Sequence, residues 1–242
     1  MPGYGQFCPV AKTCELFAER WTPLIVRELC CGPAPFNGLR RRLPLMSKTL
    51  LAQRLRELEE RGVVTTMAKP GGVGQLYALT PAGEEFRPII EALSLWGQRH
   101  TQSILRPEEF DPHFLLQSVR SQIPRSACPV RRFVICFEFN GIPGSRTAGR
   151  RWWFVVEHPE VEICMKSPGH PDDVTVIADL ETFGRVWMGY LGLADEPARR
   201  QVAFAGPPDA VERAKSLMGL YDRPRERRFI FGPPEMVDAM RA

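Results

Sequence analysis

The stretch Ser47-Lys48-Thr49-Leu50-Leu51-Ala52-Gln53-Arg54-Leu55-Arg56-Glu57-Leu58-Glu59-Glu60-Arg61 decides how the first half of this chain is read. Leu51, Leu55 and Leu58 recur at i, i+4 and i+7, the spacing that puts three side chains on one face of a helix. Ser47 is placed to cap the start, and Gly62 to end it. Lys48, Thr49, Gln53 and Arg56 fall on the opposite face, with Arg54 at its edge. An amphipathic helix whose outer face holds long polar and basic side chains suits the major groove of a duplex. Gln53 has the paired donor and acceptor that match adenine, and Arg54 or Arg56 can read guanine or hold phosphate. Ser47 and Thr49 lie beside the free N–H groups of the helix start, where phosphate binds.

Working outward, Phe36, Leu39 and Leu43 carry helical spacing in a shorter segment that Pro44 stops. Its other face is Asn37, Arg40, Arg41 and Arg42; Asn37, Arg40 and Arg41 are candidate DNA contacts, Arg40 and Arg41 better placed for the backbone than for bases. Two amphipathic helices joined across Pro44 to Ser47 form a helix-turn-helix pattern. After Gly62 come two β-prone runs, Val63 to Met67 and Gln75 to Leu79, around Lys69-Pro70-Gly71-Gly72-Val73-Gly74. They read as a hairpin, and a hairpin at that place is a wing, with Lys69 its only cation. Upstream, Val10, Cys14 and Phe17 predict a first helix, and Thr22-Pro23 predicts an N-cap and first position for a second. Thr80-Pro81 is expected to cap one long helix with Phe86, Ile90, Leu93 and Trp96 on one side. That stripe is long for a small domain and is expected to bury itself against a partner, or else on its own domain.

Charge follows the same division. Residues 1–105 hold 13 Lys/Arg against 9 Asp/Glu, whereas residues 106–242 hold 19 of each, so the whole net charge of +4 sits in the first part. No acidic residue occurs between Glu28 and Glu57. Such a basic surface either attracts a polyanion or is simply solvated. With 242 residues the chain suits two domains: 1–105, and 112–222 after a linker at Arg106 to Pro112, with a tail at 223–242. No run of apolar residues is long enough to span a membrane. The opening Met1 to Gly5 has no secretory pattern, and the seven scattered cysteines form no CxxC pair. A cytoplasmic protein is expected, with no metal and no cofactor.

The second part predicts strands at Arg132 to Phe139, Arg151 to Glu157, Val161 to Lys166, Val174 to Ala178 and Gln201 to Ala205. Helices are expected after Asp179, with Phe183, Trp187 and Leu191 inward, and at Asp209 to Met218. Gly141 to Gly149 reads as a loop. Phe229 to Phe231 reads as an edge strand or loose arm. Strands first and helices later give an α+β layer pair. Phe137, Phe139, Trp152, Phe154, Phe183, Trp187 and Met188 crowd this part, and they fit either a plain core or the lining of a site for a small apolar ligand. No H-E-x-x-H, G-x-S-x-G, phosphate loop or G-x-G-x-x-G occurs, and the four histidines stand apart, so no enzyme is expected.

An ordered set of pieces carries a family resemblance: Cys8-Pro9-Val10, Trp21-Thr22, Leu24 to Leu29, Phe36 to Arg40, Ser47 to Leu58, Gly62, Tyr77 to Thr80 and Trp96-Gly97. The first hundred residues resemble the HxlR family of winged helix-turn-helix regulators. The resemblance implies a homodimer held by terminal helices, with a recognition helix in the major groove. For a two-fold dimer it also implies a pseudo-palindromic double-stranded operator with half-sites about 34–36 Å apart. Family wings often carry an arginine and a proline where this chain has Thr65-Thr66 and Gly71 to Gly74, which implies a softer wing that holds phosphate less. Cys8 stands where some members carry a redox-sensing cysteine, and helix N–H groups nearby would favour its thiolate. The second part more faintly resembles sterol carrier protein-type domains, through Val174 to Asp179 entering a helix and Val202 to Gly206 before a terminal one. The combined expectation is a dimeric DNA-binding repressor controlled by a small apolar or amphipathic ligand. The alternative is a regulator switched at Cys8, with the second domain an interaction module.

Overall fold

The computed structural model describes residues 3–142, 144 and 150–225. The chain divides between Ser94 and Leu95 into two compact units, ahead of the expected linker. The first unit begins with α1 (Pro9–Phe17), α2 (Thr22–Cys30), α3 (Phe36–Arg42) and α4 (Lys48–Glu60). They are followed by an antiparallel hairpin of β1 (Val64–Ala68) and β2 (Gln75–Leu79). Leu51, Leu55 and Leu58 of α4 are buried with Ile25 and Leu29 of α2, Leu39 of α3, Val63 just before β1 and Val64 at its start. Burying each such side chain stabilises the fold by about 1.5–3 kcal/mol, so the leucine spacing fixes which face of α4 turns outward. The Ser47 hydroxyl accepts from Leu50 N at 3.2 Å and starts the helix. Gly62, at φ +69°, turns the chain away after Arg61, in backbone that only glycine adopts cheaply.

Two local expectations need correction. The N-cap of α2 is Trp21, not Thr22. Trp21 takes the left-handed φ of 79°, its carbonyl accepts from Ile25 N at 2.9 Å, and Thr22 is buried inside the first turn. The segment after Thr80 is two helices, α5 (Pro81–Glu84) and α6 (Arg87–His100), and Phe86 lies in the break. Pro88 explains it: without an N–H, proline suits a helix's first turn and interrupts an interior. The wing also gains a partner, because Ala34 and Tyr77 exchange backbone hydrogen bonds at 3.0 and 2.9 Å.

The second unit has a five-stranded sheet of β3 (Phe133–Asn140), β4 (Arg150–Glu157), β5 (Glu160–Cys164), β6 (Val174–Asp179) and β7 (Val202–Ala205), in the order β5-β4-β3-β6-β7. Only β3 and β6 run parallel; the other pairs are antiparallel. Among the described residues it also holds helices α7 (Pro112–Ser121), α8 (Leu180–Trp187), α9 (Glu196–Gln201) and α10 (Pro208–Met218), so the chain is a mixed α+β protein. Phe137 lies in register between Trp152 of β4 and Val176 of β6, and all three are buried in one core with Leu116, Phe183 and Leu217. The other face holds a smaller group of Val134, Cys136 and Trp153. There Asp172 accepts from Trp153 Nε1 at 3.0 Å and Asp173 from Val134 N at 2.8 Å, which pins the β5–β6 connection to that face.

The expected strand at Val161 to Lys166 stops at Cys164, and Met165 is 70% exposed rather than alternating inward. Leu191 lies past the end of α8, half-buried. The helices α7 and α9 were not expected. Residues 143 and 145–149 of the Gly141 to Gly149 loop lie outside the described residues, as does the tail from 226, with its proposed edge strand at Phe229 to Phe231. No helix among the described residues is long and apolar enough to cross a membrane.

Candidate nucleic-acid interface

Helix α4 presents Lys48, Thr49, Gln53 and Arg56 as exposed side chains, beside exposed Asn37, Arg40 and Arg41 of α3. Ser47 is also exposed. Its oxygen is engaged as an acceptor for Leu50 N, which leaves the hydroxyl proton for an external acceptor. Lys69 is exposed at the wing turn, where its N–H donates to the Gly74 carbonyl at 3.1 Å. These residues all lie in the first unit. Arg42 is half-buried and reaches Glu28 at 3.7 Å, so its charge is partly answered inside the fold.

Arg54 departs from the expectation. Its side chain is only 13% exposed and is clamped between two carboxylates: Nη2 donates to Glu19 Oε2 at 2.7 Å, and Nη1 to Glu57 Oε2 at 2.6 Å. A guanidinium held that way ties α4 to the segment between α1 and α2 and is not offered to a base or phosphate. Glu57 and Glu19 are the residues the sequence reading missed. The i, i+3 spacing of Arg54 and Glu57 signals the first contact, whereas Glu19 is 35 residues away. Glu57 also accepts from Gln53 Nε2 through Oε1 at 2.9 Å. Burial alone would raise its carboxyl pKa, but the hydrogen bonds from Arg54 and Gln53 outweigh that and hold it below the ordinary value.

All seven cysteines are free thiols. Cys8 sits at the N-cap of α1, and hydrogen bonds from the N–H groups of Ala11 and Val10 lower its pKa. Burial pushes Cys30, Cys31 and Cys136 the opposite way, Cys30 and Cys136 to about 12 and Cys31 to about 11.

The seven residues expected around an apolar ligand come together in the second unit. Phe137 meets Phe139, Phe154 and Phe183 with ring centroids 5.9, 4.8 and 6.0 Å apart, and Phe139 meets Trp152 and Phe183 at 5.8 and 5.5 Å. Trp187 is buried in the same core, and Met188 packs half-buried against it. A separate cleft of about 520 Å³ is lined by Arg132, Val155, Glu157, His158, Glu160, Glu162, Cys164, Pro168 and His170, and none of the seven takes part in it.

Residues 16–104 match the model of a family described as HxlR-like helix-turn-helix. The chain is 33% identical over 113 residues to the HTH-type transcriptional regulator YvaP of Bacillus subtilis (strain 168), itself uncharacterised. The match spans 46% of this chain and 96% of that protein. It is 30% identical over 94 residues to the HTH-type transcriptional regulator YodB of the same organism, spanning 38% and 84%. Among solved structures, the reduced form of YodB shares 28% identity at a TM-score of 0.36, covering 40% of this chain and 98% of that one. The quinone-bound form shares 29% at 0.34, covering 38% and 99%.

Proposed function

The chain belongs to the HxlR-like helix-turn-helix family of transcription regulators, and on that premise we propose that it is a cytoplasmic, homodimeric repressor that reads a pseudo-palindromic operator with α4. The observation that carries the reading is the division of α4 itself: Leu51, Leu55 and Leu58 are buried while Lys48, Thr49, Gln53 and Arg56 are exposed. Gln53 reads a base edge, Arg40, Arg41 and Lys48 hold phosphates, and Arg56 does either. Arg54, expected among these contacts, acts through the fold instead. Ile89 and Leu93 of α6, 42% and 49% exposed, support the dimer.

Two effectors are proposed. In the first, a small apolar or amphipathic molecule enters the second unit, read as sterol-carrier-like, among Phe137, Phe139, Trp152, Phe154, Phe183, Trp187 and Met188. The concentration of aromatic side chains supports it, and entry requires the packed rings to part. In the second, oxidation or alkylation of Cys8 is the signal, supported by the N–H groups that favour its thiolate. The second unit is then an interaction module.

The test is fluorescence anisotropy of the full-length protein on labelled duplexes. Affinity should fall steeply with salt. Gln53→Ala should change base preference, and Arg41→Ala should weaken all sequences alike. Absence of salt-sensitive affinity for any duplex would end the DNA-binding reading. A Cys8→Ser protein that still leaves its operator on treatment with a quinone or a peroxide would end the thiol reading.

A further inference from the structure

Glu57 is out of place on a surface meant for phosphates, because a carboxylate there repels the duplex it should meet. Its two oxygens nevertheless have distinct tasks. Oε2 takes Arg54, whose other Nη takes Glu19, so the carboxylate is fixed in position and its charge is partly offset by a guanidinium it shares with Glu19. Oε1 takes the amide nitrogen of Gln53, one helical turn back towards the start of α4.

An unsupported glutamine amide turns over freely and offers donor and acceptor in either arrangement. A carboxylate can only accept, so it selects the arrangement with the nitrogen towards itself. One N–H of Gln53 is thereby used, and the carbonyl oxygen with the second N–H stays free on an exposed side chain. One acceptor beside one donor is the pattern that pairs with N6–H and N7 of adenine.

We propose that Glu57 is a positioning residue that sets the base preference of α4, holding the Gln53 amide in the one orientation that favours adenine. Each of its oxygens already has a protein donor, and its part is to place Gln53 rather than to read a base. Arg54 and Glu19 serve it in turn by fixing the carboxylate from behind. The inference rests on Gln53 facing the duplex, as proposed above.

The experiment uses the full-length protein and an operator selected from a random duplex library. Dissociation constants are measured for duplexes carrying each of the four bases at one position at a time, and Gln53→Ala identifies the position this side chain reads. A good paired contact discriminates between bases by about 5- to 140-fold. Glu57→Gln should lower the adenine preference there by about threefold or more and leave other positions unchanged. Glu57→Asp, which keeps the charge and withdraws the carboxylate by one methylene, should do the same and guards against a misleading loss of charge. In a Gln53→Ala background Glu57→Gln should have no further effect on the ratios. Uniform tightening on all duplexes with unchanged ratios would overturn the proposal, as would an equal change of ratios without Gln53. If the unaltered protein shows no salt-sensitive duplex affinity, or Gln53→Ala changes no base ratio, the reading of α4 itself has failed and the proposal falls with it.

Discussion

Arg54 Nη2 lies 2.7 Å from Glu19 Oε2, so α4, the proposed recognition helix, is tied by a charged hydrogen bond to the turn between the first two helices. A basic residue on a DNA-facing helix is ordinarily taken as a DNA contact. Here the same residue sets how the helix sits, and in the proposed reading the exposed cations around it are left to meet phosphate.

Arg54→Ala therefore acts on the fold before it acts on binding. Removing it leaves Glu19 and Glu57 without their shared partner, and charged hydrogen bonds of this kind contribute about 1.5–3 kcal/mol each in favourable settings. Thermal or urea unfolding should show a loss of about 1–3 kcal/mol. The salt dependence of DNA affinity should keep its slope, measured where the variant is folded. A slope lowered by about one unit would put Arg54 on a phosphate after all.

Arg41 and Lys48 predict the opposite pair of results. Both are exposed. Arg41→Ala and Lys48→Ala should leave the unfolding midpoint nearly unchanged, weaken selected and random duplexes by the same factor, and each lower the slope of log K against log salt by about one. Binding isotherms from 50 to 200 mM salt would resolve that difference. A sequence-dependent loss would move either residue from the backbone to a base edge.

How far the sequence carried these assignments depends on the range of each interaction. The faces of α3 and α4 were legible because helical spacing alone decides them, and Leu51, Leu55 and Leu58 are buried as their spacing requires. The role of Arg54 was hidden, since its partner Glu19 lies in another segment and no periodicity links them. The break at Phe86 could have been read from Pro88, but the apolar stripe on either side masked it. Helix α7 was missed because the prolines at 107 and 112 marked its start as a linker, although Leu115, Leu116 and Val119 are buried from one side of it. The aromatic cluster was ambiguous for a deeper reason. Core residues and ligand-lining residues share one composition, and only the ring separations describe how they pack.

Phe183 tests that packing. It is fully buried with Phe137 and Phe139 against it. Phe183→Ala should cost about 3–5 kcal/mol, through lost transfer energy and the cavity left behind. Apolar probes such as benzene should raise the melting temperature of the variant more than that of the unaltered protein. Equal stabilisation of both would mean that the unaltered cluster already has room for a guest, in favour of the ligand reading.

Leu93 and Ile89 bear on assembly. Large apolar side chains this exposed on one helix cost little to replace in a monomer and much in an interface. Leu93→Glu should convert a dimer to a monomer in sedimentation velocity while far-ultraviolet circular dichroism stays unchanged. It should also lower affinity for a two-half-site operator more than for a single half-site. A variant that sediments as the parent does would remove α6 from the interface.

Cys8 gives the prediction with the clearest dependence on pH. The N–H groups of Ala11 and Val10 stabilise the thiolate, so its pKa lies below that of an ordinary cysteine. Because the thiolate is the nucleophile, the rate of carbamidomethylation followed against pH should rise with a midpoint below that of an ordinary cysteine thiol. Cys30, Cys31 and Cys136 have their pKa values raised to between about 11 and 12, so they should stay unlabelled in the folded protein near neutral pH. Mass spectrometry of brief iodoacetamide exposures would rank the sites. Shortening or unwinding the start of α1, as Ala11→Gly would, withdraws the donors and should move the Cys8 midpoint upward. If the midpoint stays in place, the helix start is not what activates the thiol, and the switch proposed at Cys8 loses its physical basis.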